Sequence, residues 1–228
     1  MKKKLLILII IGLVVLTVSV VFISFGKNFF SGTSVVENFY IGNLHTHTKA
    51  SDGKMTYNEV IEEAQRLGFN FIAITDHDVI GDEVKELCPK EKRILCIIGE
   101  EVSSKEGHIL ALGIKEVIPK NLTPEETIQR VHGQGGLAIP AHPEAENGLK
   151  VERIKSLSFD AVECNARHKK GGKYSCDLID GFPKIYNSDA HKKEELSVAA
   201  NKCLMKELTF ENLVEAVKEG RCFNFYGK

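Results

Sequence analysis

TYNEVIEEAQRLGFNFIAITDHD, from Thr56 to Asp78, carries one complete helix-to-strand step and ends on Asp76, His77 and Asp78, residue types that bind metals. Thr56 followed by Glu59 makes a capping box. Val60, Ile61, Ala64 and Leu67 fall on one helical face, and Gly68 ends the segment. Phe69 to Thr75 then reads as a strand. The same device recurs downstream. Thr123, with Pro124 at the first helical position and Glu126 at the third, leads through Ile128 and Val131 to Gly133 and a strand at Leu137 to Ile139. A third helix runs from Thr209 through Leu213, Val214 and Val217 to Gly220. Further strands are expected at Ile41 to Leu44, Ile94 to Ile98, His108 to Gly113, Ala161 to Cys164 and Lys184 to Tyr186. Strands alternating with helices imply an α/β domain built around a parallel sheet or barrel, with about seven βα steps.

Upstream of this domain, Lys2, Lys3 and Lys4 precede a stretch from Leu5 to Phe25 that contains no charge. At ~1.5 Å per residue that length crosses the ~30 Å hydrocarbon core of a bilayer, so residues 1–27 are read as a membrane anchor. A cleaved signal peptide is the alternative, with Ser24 and Gly26 as its only small-x-small pair. Residues 28–38 form a linker, and residues 39–228 are long enough for one domain with a single substantial core. Positive charge ahead of the span keeps that end in the cytoplasm and places the domain on the extracytoplasmic side. The chain's net charge of −1 hides an asymmetry. The first 38 residues hold Lys2, Lys3, Lys4 and Lys27 against Glu37, which leaves 26 basic and 30 acidic residues, a net of −4, for the remainder. An acidic domain is a poor general binder of nucleic acid. The six cysteines contain no Cys-x-x-Cys pair, which argues against a zinc ribbon or a thioredoxin-like motif and leaves their pairing open.

Six of the eight histidines fall at the ends of expected strands: His45, His47, His77, His108, His142 and His191. In an α/β barrel the carboxyl ends of the strands converge on one face, so residues far apart in sequence meet there. His45 and His47 are one residue apart, and in extended chain both rings point to the same side, where they can grip one ion. Asp189 and His191 repeat that spacing. Burying so many polar rings without a metal would demand many other hydrogen-bond partners.

This order of motifs, His-x-His, a nearby acid, Thr-Asp-His, Gly-x-Glu, a His, His-Pro and Asp-x-His, resembles the polymerase and histidinol phosphatase (PHP) family. The resemblance spans Ile41 to His191 and implies a distorted (β/α)7 barrel holding two or three divalent ions. It implies that His45, His47, Glu101 and Asp189 hold one metal. Glu101 would bridge to a second metal held by His108 and His142, and Asp52, His77 and His191 would hold a third. Glu101 rather than Glu100 fits the family pattern within Gly99-Glu100-Glu101-Val102-Ser103, so Glu100 should face the other way. Imidazole and carboxylate together suit zinc, manganese or iron, and water acidified by such ions would be the nucleophile. Asp76 is a candidate to orient an imidazole, with closure of a turn as its other reading.

Asn165, Arg167 and His168 similarly match an Asn-x-Arg segment that lies near the site in family members. Arg167 is the candidate phosphate ligand, since guanidinium is a planar fork of donors, with Lys169, Lys170 and Lys173 adding positive field. The leading expectation is a metal-dependent phosphoesterase acting on a small phosphorylated substrate. Tyr40 to His47 also resembles a secreted or membrane branch that includes carbaryl-type ester hydrolases, so a carboxyl ester or carbamate hydrolase is the second reading. A 3'-5' exonuclease-like phosphodiesterase comes third, and a non-catalytic metal-binding module last.

Overall fold

A computed structural model of the chain describes residues 36–169 and 171–226. The apolar stretch from Leu5 to Phe25 lies outside the described residues, and among those described no helix is long and apolar enough to cross a membrane. Strands β1 (Asn38–Asn43), β2 (Phe71–Ile74), β3 (Leu95–Ser104), β4 (Gly107–Leu112) and β5 (Leu137–Pro140) are followed by β6 (Val162–Asn165) and β7 (Lys184–Asn187). Two more, β8 (Asn201–Met205) and β9 (Cys222–Asn224), close the series. The helices are α1 (Tyr57–Arg66), α2 (Asp82–Leu87), α3 (Pro124–Gly133), α4 (Val151–Lys155) and α5 (Phe210–Lys218).

Both capping boxes form: Thr56 with Glu59 opens α1, and Thr123 with Glu126 opens α3. Thr209 caps α5 through the backbone N–H of Asn212. Strand β2 is apolar throughout because both of its faces are covered. Ile72 and Ile74 join the core that holds Val60, Ile61 and Ala64 of α1, whereas Phe71 and Ala73 join the one that holds Leu213, Ala216 and Val217 of α5.

The α/β class stands, but the expected regular succession of seven βα steps is corrected. Seven strands form one mixed sheet in the order β5-β4-β3-β2-β1-β8-β9, and β6 and β7 form a separate parallel pair. Only β1, β2 and β3 are successive parallel neighbours within the large sheet. Strand β4 is antiparallel to β3 because only Lys105 and Glu106 lie between them, far short of the dozen or so residues that a parallel crossover needs. The large sheet curls into a half-barrel. The β6–β7 pair meets both of its edges, β6 packing against β5 and β7 against β8 and β9. Strand β8, absent from the sequence expectation, is antiparallel to β1 and pairs Gly42 with Asn201.

All six cysteines are paired, Cys88 with Cys96, Cys164 with Cys176 and Cys203 with Cys222. The last pair links cross-strand neighbours of β8 and β9.

Candidate metal centre

Beyond β1 the chain bends at Leu44, and Thr46 then forms a parallel bridge with Ala190 while the His47 N–H donates to the Ala190 carbonyl at 2.9 Å. That pairing turns His45 and His47 inward together and draws Asp189 and His191 up beside them. A second bridge, between His77 and Glu101, brings the end of β2 against β3. His142 and Asp189 adopt left-handed backbone, with φ of 28° and 56°, which is uncommon outside glycine and is found where surrounding structure enforces it. The loop that carries His142 closes on Gly148, where a Cβ would lie 2.2 Å from the His142 carbonyl oxygen.

The inward groups meet at one place. His45 Nε2 lies 3.1 Å from His47 Nε2, 3.0 Å from Glu101 Oε2 and 3.4 Å from Asp189 Oδ1. His47 Nε2 is 3.2 Å from each of the same two carboxylate oxygens. On the other oxygen of Glu101, His108 Nδ1 and His142 Nε2 converge at 2.9 and 2.7 Å. Asp52 receives His191 Nε2 at 3.1 Å, with His77 Nε2 at 3.8 Å and His47 Nδ1 at 3.5 Å. Donor atoms of His45, His47, Glu101 and Asp189 lie within 4.8 Å of one another, and so do those of His47, Asp52, His77 and His191. All nine residues expected as ligands are therefore gathered around one cleft, with Glu101 at its centre.

The donor chemistry fits a cation. Glu163, wholly buried, accepts from His45 Nδ1 at 2.8 Å, which puts the ring's proton on Nδ1 and leaves a lone pair on Nε2. In the neutral ring that lone pair faces the acceptors of Glu101, Asp189 and His47 in a buried pocket, an arrangement that needs positive charge within it, either protons on the imidazoles or a bound cation. His47 Nδ1, His142 Nδ1 and Asp189 Oδ1 are buried with no hydrogen-bond partner. Without an ion, protons on the imidazoles meet that need. Burial pulls the His45 ring down, yet Glu163, Glu101 and Asp189 outweigh it and hold the ring well above its ordinary value; His47 is raised likewise, to about 9. Burial pushes Glu101 up, but His45, His108 and His142 hold it well below the carboxylate range. Asp189 is depressed against its burial by His45, His168 and His47. Divalent ions on these ligands would take the place of those protons.

Glu100 faces away from Glu101, as alternation along a strand requires. One of its oxygens accepts from the Ile118 N–H at 3.0 Å, and burial pushes its carboxyl up to about 7. Asp76 does not orient an imidazole. Its carboxylate accepts from the Thr48 N–H (2.7 Å), Thr48 Oγ1 (2.6 Å) and Ser51 Oγ (2.7 Å), so it fastens the loop that presents Asp52, the turn-closing role. Arg167 lies at the cleft mouth, its Nη1 donating to His191 Nδ1 at 2.5 Å and reaching the Asp189 carbonyl at 3.4 Å. Two residues acquire a place that sequence reasoning had not assigned them. His168 puts Nε2 3.6 Å from Asp189 Oδ2 and forms a third donor group with His142 and Asp189. Glu163 supports His45 from behind; its signal was an acid inside the apolar strand Ala161 to Cys164, a position that a charge occupies only when paired.

Residues 43–226 match the model of the PHP domain. The chain belongs to the PHP family. An uncharacterized protein from Methanocaldococcus jannaschii is 41% identical over 143 residues, which are 56% of this chain and 83% of that one. A protein of Haemophilus influenzae named 5'-3' exoribonuclease is 39% identical over 82 residues, 34% of this chain but only 30% of its own length. In fold, the chain resembles a two-domain Bacteroides vulgatus protein described as containing a predicted PHP-like metal-dependent phosphoesterase. The TM-score is 0.65 at 18% identity, over 83% of this chain and 65% of that one.

Proposed function

We propose that this PHP protein is a metal-dependent phosphoesterase that hydrolyses a small phosphorylated substrate at a site of two or three divalent ions, zinc, manganese or iron. The observation that carries the reading is the convergence of His45, His47, Glu101 and Asp189 side-chain nitrogens and oxygens at 3.0–3.4 Å in a buried cluster, a donor set of the kind that holds divalent ions. Bound ions would acidify a water molecule and take up charge on the ester oxygens. The protein's own part is to hold that set rigid and to meet the remaining charge of phosphate. Arg167, exposed at the mouth and 2.5 Å from His191, presents a planar fork for a phosphate oxygen. The exoribonuclease relative favours a second reading, cleavage of an oligonucleotide phosphodiester. Against it stand the net charge of −4 beyond residue 38 and the absence of interleaved aromatic and basic residues for single strands.

The discriminating experiment loads the full-length protein with each metal and assays phosphate monoesters, phosphate diesters and carboxyl esters. Phosphate esters should be turned over, and Arg167→Ala should lower that rate by roughly 10²–10³ with metal content unchanged. Arg167→Lys should recover little of it. A fully metallated protein that hydrolyses aryl acetates or carbamates, hydrolyses no phosphate ester and ignores the Arg167 substitutions would overturn the proposal.

We place the domain on the extracytoplasmic side of a membrane, tethered by residues 1–27. The lysines ahead of the apolar stretch and the pairing of all six cysteines, a habit of oxidising compartments, both support this.

A further inference from the structure

Next to the metal-ligand cleft lies a second cavity, of about 320 Å³, and His168 lines both. Its surface is mainly apolar, contributed by Pro143 and Ala145 from the loop after β5 and by Tyr174 and Leu178 from the segment after β6. Leu178 keeps 64% of its surface exposed there, an apolar side chain with nothing among the described residues to cover it. The wall itself is built firmly. Cys164 on β6, between Glu163 and Asn165, is bonded to Cys176 in the 3-10 turn Ser175–Leu178. Tyr174 is braced edge-on against Tyr186 at 5.6 Å, and Lys169 Nζ lies 4.1 Å from its ring centroid.

Small-molecule sites commonly pair a few convergent polar groups, which fix the reacting end, with apolar surface that takes the rest of the ligand. The cleft and this cavity stand in that relation, joined at His168. We propose that the cavity binds the leaving-group end of the substrate and that this group carries an apolar ring, so that the substrate is a phosphate ester of a ring-bearing alcohol. A volume of about 320 Å³ falls at the small end of ligand pockets, which suits one ring system. A planar ring covers Leu178, Pro143 and Ala145 while meeting Tyr174, and the polar Glu144, Lys173, Ser175 and Asp177 complete the lining. This inference rests on the phosphoesterase reading above and selects among its substrates.

The test uses the full-length, metal-loaded protein with 2-phenylethyl phosphate and ethyl phosphate, whose leaving alcohols are of similar acidity. Wild type should prefer the phenylethyl ester by about tenfold in kcat/KM, chiefly through KM, and Leu178→Asn should remove about fivefold of that preference without changing ethyl phosphate turnover. The chain contains no tryptophan, so Leu178→Trp places a single indole at the cavity. Its emission should respond to 2-phenylethylphosphonate and not to ethylphosphonate. If both esters are hydrolysed alike and the indole responds to neither phosphonate, the ring subsite is overturned while the phosphoesterase reading stands. If no phosphate ester is hydrolysed, both fall together.

Discussion

Glu163→Gln changes one atom of the candidate centre, and its consequences follow from the hydrogen bonds around it. Glu163 Oε1 accepts from His45 Nδ1 (2.8 Å) and Asn187 Nδ2 (2.9 Å), while Oε2 accepts from the His142 N–H (2.7 Å) and Asn165 Nδ2 (2.9 Å). Four donors thus occupy the four lone-pair directions of a buried carboxylate. In glutamine one oxygen becomes an NH2 group, which must face two donors whichever way the amide is turned. Neither asparagine can rotate to compensate, since Asn187 Oδ1 already accepts from the Leu44 N–H and Asn201 Nδ2, and Asn165 Oδ1 from the Arg167 N–H. Two orphaned buried donors at ~1–3 kcal/mol each, offset in part by removal of a buried charge, leave a loss of about 2 kcal/mol. For a domain of this size that is ~4–8 °C in Tm. If the new amide faces His45, the ring can satisfy it only by moving its proton to Nε2, which removes the lone pair offered to the metal. Loss of such a supporting partner costs ~10–100-fold in metal affinity. Calorimetric metal titration and thermal melts of chelator-stripped wild type and Glu163→Gln measure both quantities. Affinity within about twofold of wild type together with an unchanged Tm would refute the assignment of Glu163 as the group that orients His45.

Asp76→Ala frees the loop that presents Asp52, so metal content should drop by about one ion per chain while His45 and His47 keep theirs; full occupancy by elemental analysis would contradict that role. Glu91 supplies a pH dependence away from the metal site: hydrogen bonds from Arg93 hold its carboxyl down at about 2 despite opposing desolvation. A depressed acid stabilises the fold above its unfolded pKa of ~4.3 and loses that contribution as pH falls towards 2. Glu91→Gln should therefore cost about 1 kcal/mol at pH 7, after allowance for solvent screening, and progressively less through pH 4 and 3 in urea unfolding; a cost that does not vary with pH excludes the carboxylate as its source. In intact cells, protease reaching the outer membrane face should digest the domain, and its cysteines should resist alkylation until reduced. Protection from protease, or six freely alkylated thiols, would reverse the proposed location.

Features written in neighbouring residues were legible. The capping boxes at Thr56 and Thr123 form because a hydroxyl and a carboxylate three residues apart satisfy orphan N–H groups wherever the helix sits. The gathering of the candidate metal-binding residues was legible for another reason: His-x-His and Asp-x-His are conspicuous in residue type, and an extended chain puts alternate side chains on one side without reference to the rest of the fold. Asp76 shows the limit. A carboxylate beside an imidazole in sequence can turn either way, and only the nearby Thr48 and Ser51 donors decide it.

The sequence by itself determined the α/β class, the amphipathic helices, the acidic stretch that follows an apolar N-terminus and the candidate metal-binding residues, since each is set by composition or by spacing over a few positions. The tertiary structure alone decided the place of β8 beside β1, the three cysteine pairings, the support of His45 by Glu163 and the apolar cavity beyond His168. These depend on which distant segments meet. A strand's hydrogen-bonding edge accepts many partners, and a cysteine or a buried acid carries no mark of its own partner. The choice is made when one packed arrangement satisfies every buried polar group together.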